Sequence, residues 1–187
     1  MATRLNSPLT ETVTRALRAG DKVLISGPVY TARDAAHKRL AELIARGDRL
    51  PVALKGQIIY YTGPTPPAPG RPVGSAGPTT SSRMDAYTPA ILSQGVLALI
   101  GKGERSAQVE ESLRASGAVY LAAAGGAGAL LAERIIAAEP VAYPELGPEA
   151  IFRFQLDDFP AIVAIDSSGG NLYRLGRKQY RKQNHFI

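Results

Sequence analysis

Four hydroxyl side chains stand in line at Thr79, Thr80, Ser81 and Ser82, followed by the guanidinium of Arg83 and the carboxylate of Asp85. They close the stretch GSAGPTTSSRMD (residues 74–85), itself the end of a long Pro/Gly segment. Hydroxyls donate or accept, and an arginine fork matches a carboxylate in two bonds. The combination suits one wall of a pocket for a small anion. Comparable chemistry recurs at Arg33-Asp34, with His37 one helical turn on, at Gly101-Lys102-Gly103, and at Gly125-Gly126. Three cations, Arg33, Arg83 and Lys102, point to an anion with more than one negative group. Blander roles stand beside each of these. Arg33 could pair with Asp34 or a nearby Glu, the hydroxyls could cap a helix, Lys102 could be solvated and His37 simply packed. Gly125-Gly126 resembles a weak phosphate turn, but neither G-x-G-x-x-G nor a Walker lysine pattern is present. No acid–base dyad and no metal site is evident. The chain has no cysteine, and His37 and His185 stand far apart.

These residues need elements to hold them. Residues 10–19 read as a short helix with Val13, Ala16 and Leu17 on one face, and 21–30 as a buried strand. Thr31 then caps a helix over 32–47 with a stripe of Ala36, Leu40 and Ile44, closed by Gly47. A strand over 56–63 leads into residues 63–82, whose six prolines exclude helix and central strand. A loop of that length inside a compact domain is usually functional or disordered, and its run of donors favours function. A helix begins at Ser81 or Ser82 and breaks near Pro89. A strand over 96–104, a helix over 105–117, a strand over 118–126 and a helix over 127–135 follow, then three strands joined by turns. The order predicts an α/β domain with a mixed sheet and packed helices. Ligands of such sheets gather at the carboxyl ends of strands. Should three of these ends be neighbours, Arg33, Arg83 and Lys102 meet at one crevice.

The 187 residues suit one domain, with no internal repeat and no run long enough for a membrane span. The absence of cysteine and of an apolar leader in MATRLNSPLTETV makes the cytoplasm the expected location. Five of the six net positive charges fall in residues 171–187, on Arg174, Arg177, Lys178, Arg181 and Lys182. The basicity is thus a tail, read as a solvated end, and the body is nearly neutral. With no RNP-like aromatic run, nucleic acid is not an expected partner.

Taken in order, GDKVLISGPVYTARDAAHKRL (20–40), IIYYTGPTPPAPG (58–70), GPTTSSRMD (77–85), IGKG (100–103), GAVYLAAAGGAGAL (117–130), ELGPEAI (145–151) and DFPAIVAIDSSGGNLY (158–173) resemble one family. It is the β subunit, or C-terminal domain, of class I iron–sulfur fumarate hydratases and L(+)-tartrate dehydratases. The resemblance implies a swivelling β/β/α domain over residues 1–173, with 174–187 a basic C-terminal tail. It implies a partner α subunit, in an α2β2 assembly, whose cysteines hold a [4Fe–4S] cluster that this chain cannot ligate. The implied reaction is reversible hydration of fumarate to (S)-malate. Arg33, Arg83 and Lys102 would contact the carboxylates of the dicarboxylate substrate. Thr79 would be the base toward the C3 proton, activated by a cation such as Lys102, and Thr80 would help hold the pocket. Asp34, His37 and Asp85 would stand behind them. RDAAHKR and RMD lean toward fumarate over tartrate. A small-anion-binding module without catalysis is the alternative from another class.

Overall fold

The computed structural model describes residues 2–181, so Lys182 and His185 lie outside the described residues. The strands are β1 (Thr3–Asn6), β2 (Lys22–Thr31), β3 (Ile58–Tyr60), β4 (Ala98–Gly101), β5 (Val119–Ala122), β6 (Ile135–Ala142) and β7 (Ile151–Ile165). The α-helices are α1 (Glu11–Ala16), α2 (Asp34–Arg46), α3 (Thr88–Leu92), α4 (Ala107–Ser116), α5 (Gly128–Ala132) and α6 (Leu172–Tyr180), with 3-10 turns at Ser81–Met84 and Pro144–Glu149. Strands β2, β3, β4 and β5 lie side by side and parallel. β7 runs antiparallel to both β5 and β2, so the sheet closes on itself. The register leads from Tyr30 through Ile59, Leu99 and Tyr120 to Ile165. It returns to β2 upstream of Lys22, because Lys22 already sits opposite Ile162. That stagger is the tilt a small closed barrel requires.

Side chains alternate across this wall. Ile58 and Tyr60 of β3 point into the barrel interior with Ile25, Ile100, Leu121 and Phe159. Ile59, Tyr61, Leu99 and Tyr120 point outward and pack on Leu40 of α2, Ile91 of α3 and Leu113 of α4. The mixed α/β sheet with packed helices is as expected, and its closure is an addition that the strand order alone did not reveal.

Local departures have local causes. Thr31 does not cap α2. It ends β2, where its hydroxyl accepts from Phe152 N at 3.0 Å, and the N-cap position falls to Arg33. Gly47 closes α2 as expected, in the left-handed region at φ 71°. In α1 the buried residue is Thr14, whose hydroxyl donates to the Gly117 carbonyl at 2.7 Å, while Val13 is exposed. The N-terminal strand β1 was not foreseen, being only four residues on the edge beside β2. Of the three strands expected after residue 135, the last two are one. β2 keeps pairing with β7 on both sides of Asp158, so a left-handed residue (φ 47°) makes a bulge there rather than a turn. Pro89 sits in the first turn of α3 and separates it from the 3-10 turn, as read from the sequence. Helix α6 runs across the 173/174 boundary. Its Arg174 pairs with Glu110 at 2.7 Å and its Arg177 with Glu104, so this part of the basic segment is bound to the body.

Candidate anion site at the strand ends

Because β2, β3, β4 and β5 are parallel neighbours, their carboxyl ends share one rim. The rim receives Arg33 and Asp34 after β2, the loop of residues 61–80 after β3, Lys102 after β4 and Gly125 after β5. The condition set by the sequence, that several of these ends be adjacent, is met.

The long loop is pinned at its return. Thr62 Oγ1 donates to Gly77 O at 2.8 Å, and Thr79 N donates to Tyr61 O at 2.8 Å. Thr79 therefore lands beside the end of β3, and the 3-10 turn at Ser81–Met84 swings Arg83 back over it. Arg83 Nη2 donates to Thr79 Oγ1 at 2.7 Å and to Asp34 Oδ2 at 3.0 Å. The same carboxylate lies 3.9 Å from Arg33 Nη2, and Glu149 Oε1 approaches that guanidinium at 3.5 Å. The other Glu149 oxygen accepts from Ala35 N at 2.9 Å, at the start of α2. Both arginines thus have acidic partners. Asp34 and Glu149 are interleaved with them, and an incoming anion must compete with Asp34 for Arg83.

Thr80 forms a parallel bridge with Lys102. Ser81 N donates to Lys102 O at 3.0 Å, and Lys102 N donates to Ser81 Oγ at 3.1 Å. Ser81 Oγ also meets Tyr120 Oη at 3.0 Å, and Tyr120 donates to Gly103 O at 2.9 Å. Gly101 is required by this closeness. A Cβ there would overlap Ser81 Oγ and come within 3.1 Å of the Tyr61 ring. The Lys102 side chain lies over Gly125, which a Cβ would bring to 3.4 Å of its Cδ.

Asp85 does not reach the rim cations. Its oxygens accept from Arg105 Nε and Ser106 N, both at 2.7 Å. Arg105 is wholly buried, donates to Thr88 Oγ1 at 2.7 Å and lies between the Tyr61 and Tyr120 rings, 5.3 and 5.1 Å from their centroids. Burial works against its charge, but the two tyrosines and Asp85 outweigh that and hold its pKa above the ordinary value. Arg105 and Glu149 escaped the sequence reading. Glu149 lies in ELGPEAI, a motif noted without a role, while Arg105 carries no signal beyond preceding Ser106, the N-cap of α4. His37 is fully buried on α2, with Nδ1 3.0 Å from Arg33 O. Burial pushes its pKa down to about 4, so it is neutral at pH 7.

Of the eight residues singled out from the sequence, direct contacts join Arg33, Asp34, His37, Thr79 and Arg83 into one group. The Thr80–Lys102 bridge adjoins it through the chain, and Asp85 stands behind on Arg105. Two cations and a threonine hydroxyl linked to one guanidinium can bind a carboxylate and stabilise an oxyanion. The donors do not fit an iron–sulfur cluster. The chain has no cysteine, and among the described residues no three His, Asp or Glu come together as a metal site.

Comparison with known proteins gives a consistent result. The sequence profile of the family described as Fumarase C-terminus matches residues 1–176. The chain is 39% identical over 174 residues to the anaerobic class I fumarate hydratase of Escherichia coli K12, covering 91% of this chain and 32% of that protein. It is 38% identical over 156 residues to fumarate hydratase 2 of Leishmania major, covering 82% and 28%. It is also 38% identical over 186 residues to a protein named as an L(+)-tartrate dehydratase subunit beta in Methanocaldococcus jannaschii, covering 96% and 95%. The chain therefore spans about a third of the fumarate hydratases it resembles and nearly the whole of the tartrate dehydratase subunit.

Proposed function

The chain belongs to the Fumarase C-terminus family, and from that premise we propose that it is the β subunit of a hydro-lyase that interconverts fumarate and (S)-malate. It supplies the carboxylate-binding half of the active site, and an α subunit, in an α2β2 assembly, supplies the rest. A [4Fe–4S] cluster, which the resemblance assigns to the α chain, does not fit the donors here. The observation that carries the reading is the Arg83 guanidinium, shared between Thr79 Oγ1 and Asp34 on a rim that Lys102 and Arg33 also border.

In this reading Arg33, Arg83 and Lys102 hold the two carboxylates of the acid, and Thr80 holds the Lys102 turn in register. Thr79 Oγ1 takes the C3 proton of malate and returns it in the hydration direction. A threonine hydroxyl is a poor base in water. The cation in contact with it is Arg83 rather than Lys102, and a guanidinium bonded to the oxygen favours its anion. Proton removal builds charge on the neighbouring carboxylate, which the cations stabilise more strongly than they stabilise the ground state. No described helix is long and apolar enough to cross a membrane.

The test is co-expression with the α-type gene, anaerobic purification and assay with malate, fumarate and tartrate. Turnover that needs both chains and falls about 10²–10³-fold in Arg83→Ala supports the reading. A second reading, an L(+)-tartrate dehydratase β subunit, is favoured by the match along nearly all of the M. jannaschii chain. Faster turnover of tartrate than of malate decides for it. Binding of a dicarboxylate without turnover in any assembly decides for a non-catalytic module.

A further inference from the structure

We infer that His37 is a positioning residue that fixes the direction in which Arg33 and Asp34 leave the start of α2, an inference that deepens and rests on the proposed function. Helix α2 opens without a side-chain cap, since its N-cap is Arg33, in extended conformation, and the guanidinium makes no capping bond. Its carbonyl is instead taken twice by one residue. His37 N donates to Arg33 O at 2.8 Å, and His37 Nδ1 lies 3.0 Å from the same oxygen. A carbonyl only accepts, so Nδ1 carries the proton and Nε2 does not.

Two donors on one oxygen hold the plane of the peptide between residues 33 and 34. From its two ends leave the Arg33 guanidinium, which faces Glu149, and the Asp34 carboxylate, which holds Arg83 and through it Thr79. The imidazole is wedged from the other side by Tyr61, whose ring meets it edge-on at 5.0 Å and whose carbonyl accepts from Thr79 N. One buried ring thus touches both strand ends that carry the site. Packing alone does not call for an imidazole here. Nε2 is buried without a partner, a cost that an apolar side chain of similar size would avoid. The charged groups around it are Arg33 and Asp34 of its own helix and Arg105 ahead of α4. Asp34 favours a proton on the ring, while burial and Arg105 oppose it and keep the ring neutral.

The test uses the co-purified complex with three substitutions. His37→Asn offers an amide N–H near the place of Nδ1, His37→Gln offers one near Nε2, and His37→Leu offers none. Expected are a KM for the dicarboxylate within about threefold of wild type for Asn, and about tenfold or more above it for Gln and Leu. In Gln and Leu kcat should fall as well, because Asp34 orients Arg83 and through it Thr79, whereas kcat in Asn should stay within about threefold of wild type. A wild-type KM in His37→Leu, or equal loss in Asn and Gln, overturns the inference. Should His37→Leu not fold, the Asn/Gln pair decides. Side-chain ¹⁵N NMR of the full chain gives an answer independent of turnover. A neutral Nδ1–H tautomer from pH 8 to 5 supports the inference, and an Nε2–H tautomer or protonation near 6.5 overturns it. A wild-type complex inactive on every acid removes the proposed function, while the NMR result still judges the hydrogen bond.

Discussion

At the scale of single residues, the site is a relay of contacts from His37 through Arg33 and Asp34 to Arg83 and Thr79. Each link is a polar contact between groups that are ordinary alone. The relay separates binding from proton transfer. Thr79→Ala, which removes the proposed base but none of the cations, should lower kcat about 10²–10⁴-fold and leave KM within a few-fold. Steady-state kinetics of the complex check this, and unchanged kcat would assign the proton to the α chain. His37 also makes a claim about stability. Its folded pKa, about 4, lies below the unfolded 6.5. The unfolded chain therefore binds the proton first as pH falls, and stability is lost between about 6.5 and 4, reaching about 3 kcal/mol. Thermal melts across that range should show this slope, and His37→Asn should flatten it.

Elements are held by the residues that the sequence reading left out. Arg105 joins the 3-10 turn and α3 to the start of α4, through Asp85, Thr88 and the Ser106 N–H that shares Asp85. Removing it leaves Asp85 and two tyrosine faces without their cation. Arg105→Met should cost about 3–5 kcal/mol in urea unfolding, whereas a cost below about 1 kcal/mol would mean that the guanidinium is not the tie between these elements. Gly101→Ala acts on the same layer by pushing Ser81 off the end of β4. It should lower the melting temperature and, because Ser81 brackets Lys102, raise KM in whatever fraction folds. A melting temperature equal to wild type would show that the strand end and the 3-10 turn can separate. In α6, Asn171 caps the first turn, and Arg174 and Arg177 reach acids on either side of the start of α4. These pairs are largely exposed and contribute little each.

For the molecule as a whole, closure of the sheet by β7 is what gathers the chemistry. An open parallel sheet would put helices on both faces, whereas here one face is the barrel interior and α2, α3 and α4 cover the other. β1 and β6 lie outside the closed circuit, each paired on one side. Native-state hydrogen exchange should therefore be slowest in β2, β4, β5 and β7 and faster in β1 and β6. Uniform protection would mean that the flanking strands belong to the same cooperative unit. The site lies on the rim, not inside, so a second chain can complete it without opening the core. The isolated chain is expected to show no turnover, and the complex with an α subunit to show it.

Much of this was legible in the residues. Unbroken apolar runs and Gly47 and Gly117 marked the parallel strands and the ends of α2 and α4, because backbone preference and burial act locally. The grouping of Arg33, Thr79, Arg83 and Lys102 as candidate anion-binding residues came from their chemistry and from strand-end placement. What the residues alone could not decide was partnership over long separations. That Arg83 rather than Lys102 touches Thr79, that Asp34 and Glu149 interleave with the cations, that Arg105 is buried between two tyrosines, and that β7 stays one strand and closes the sheet all depend on contacts between segments far apart in sequence. Such contacts are set by how the whole chain excludes water and satisfies its buried polar groups, and no local pattern carries that information.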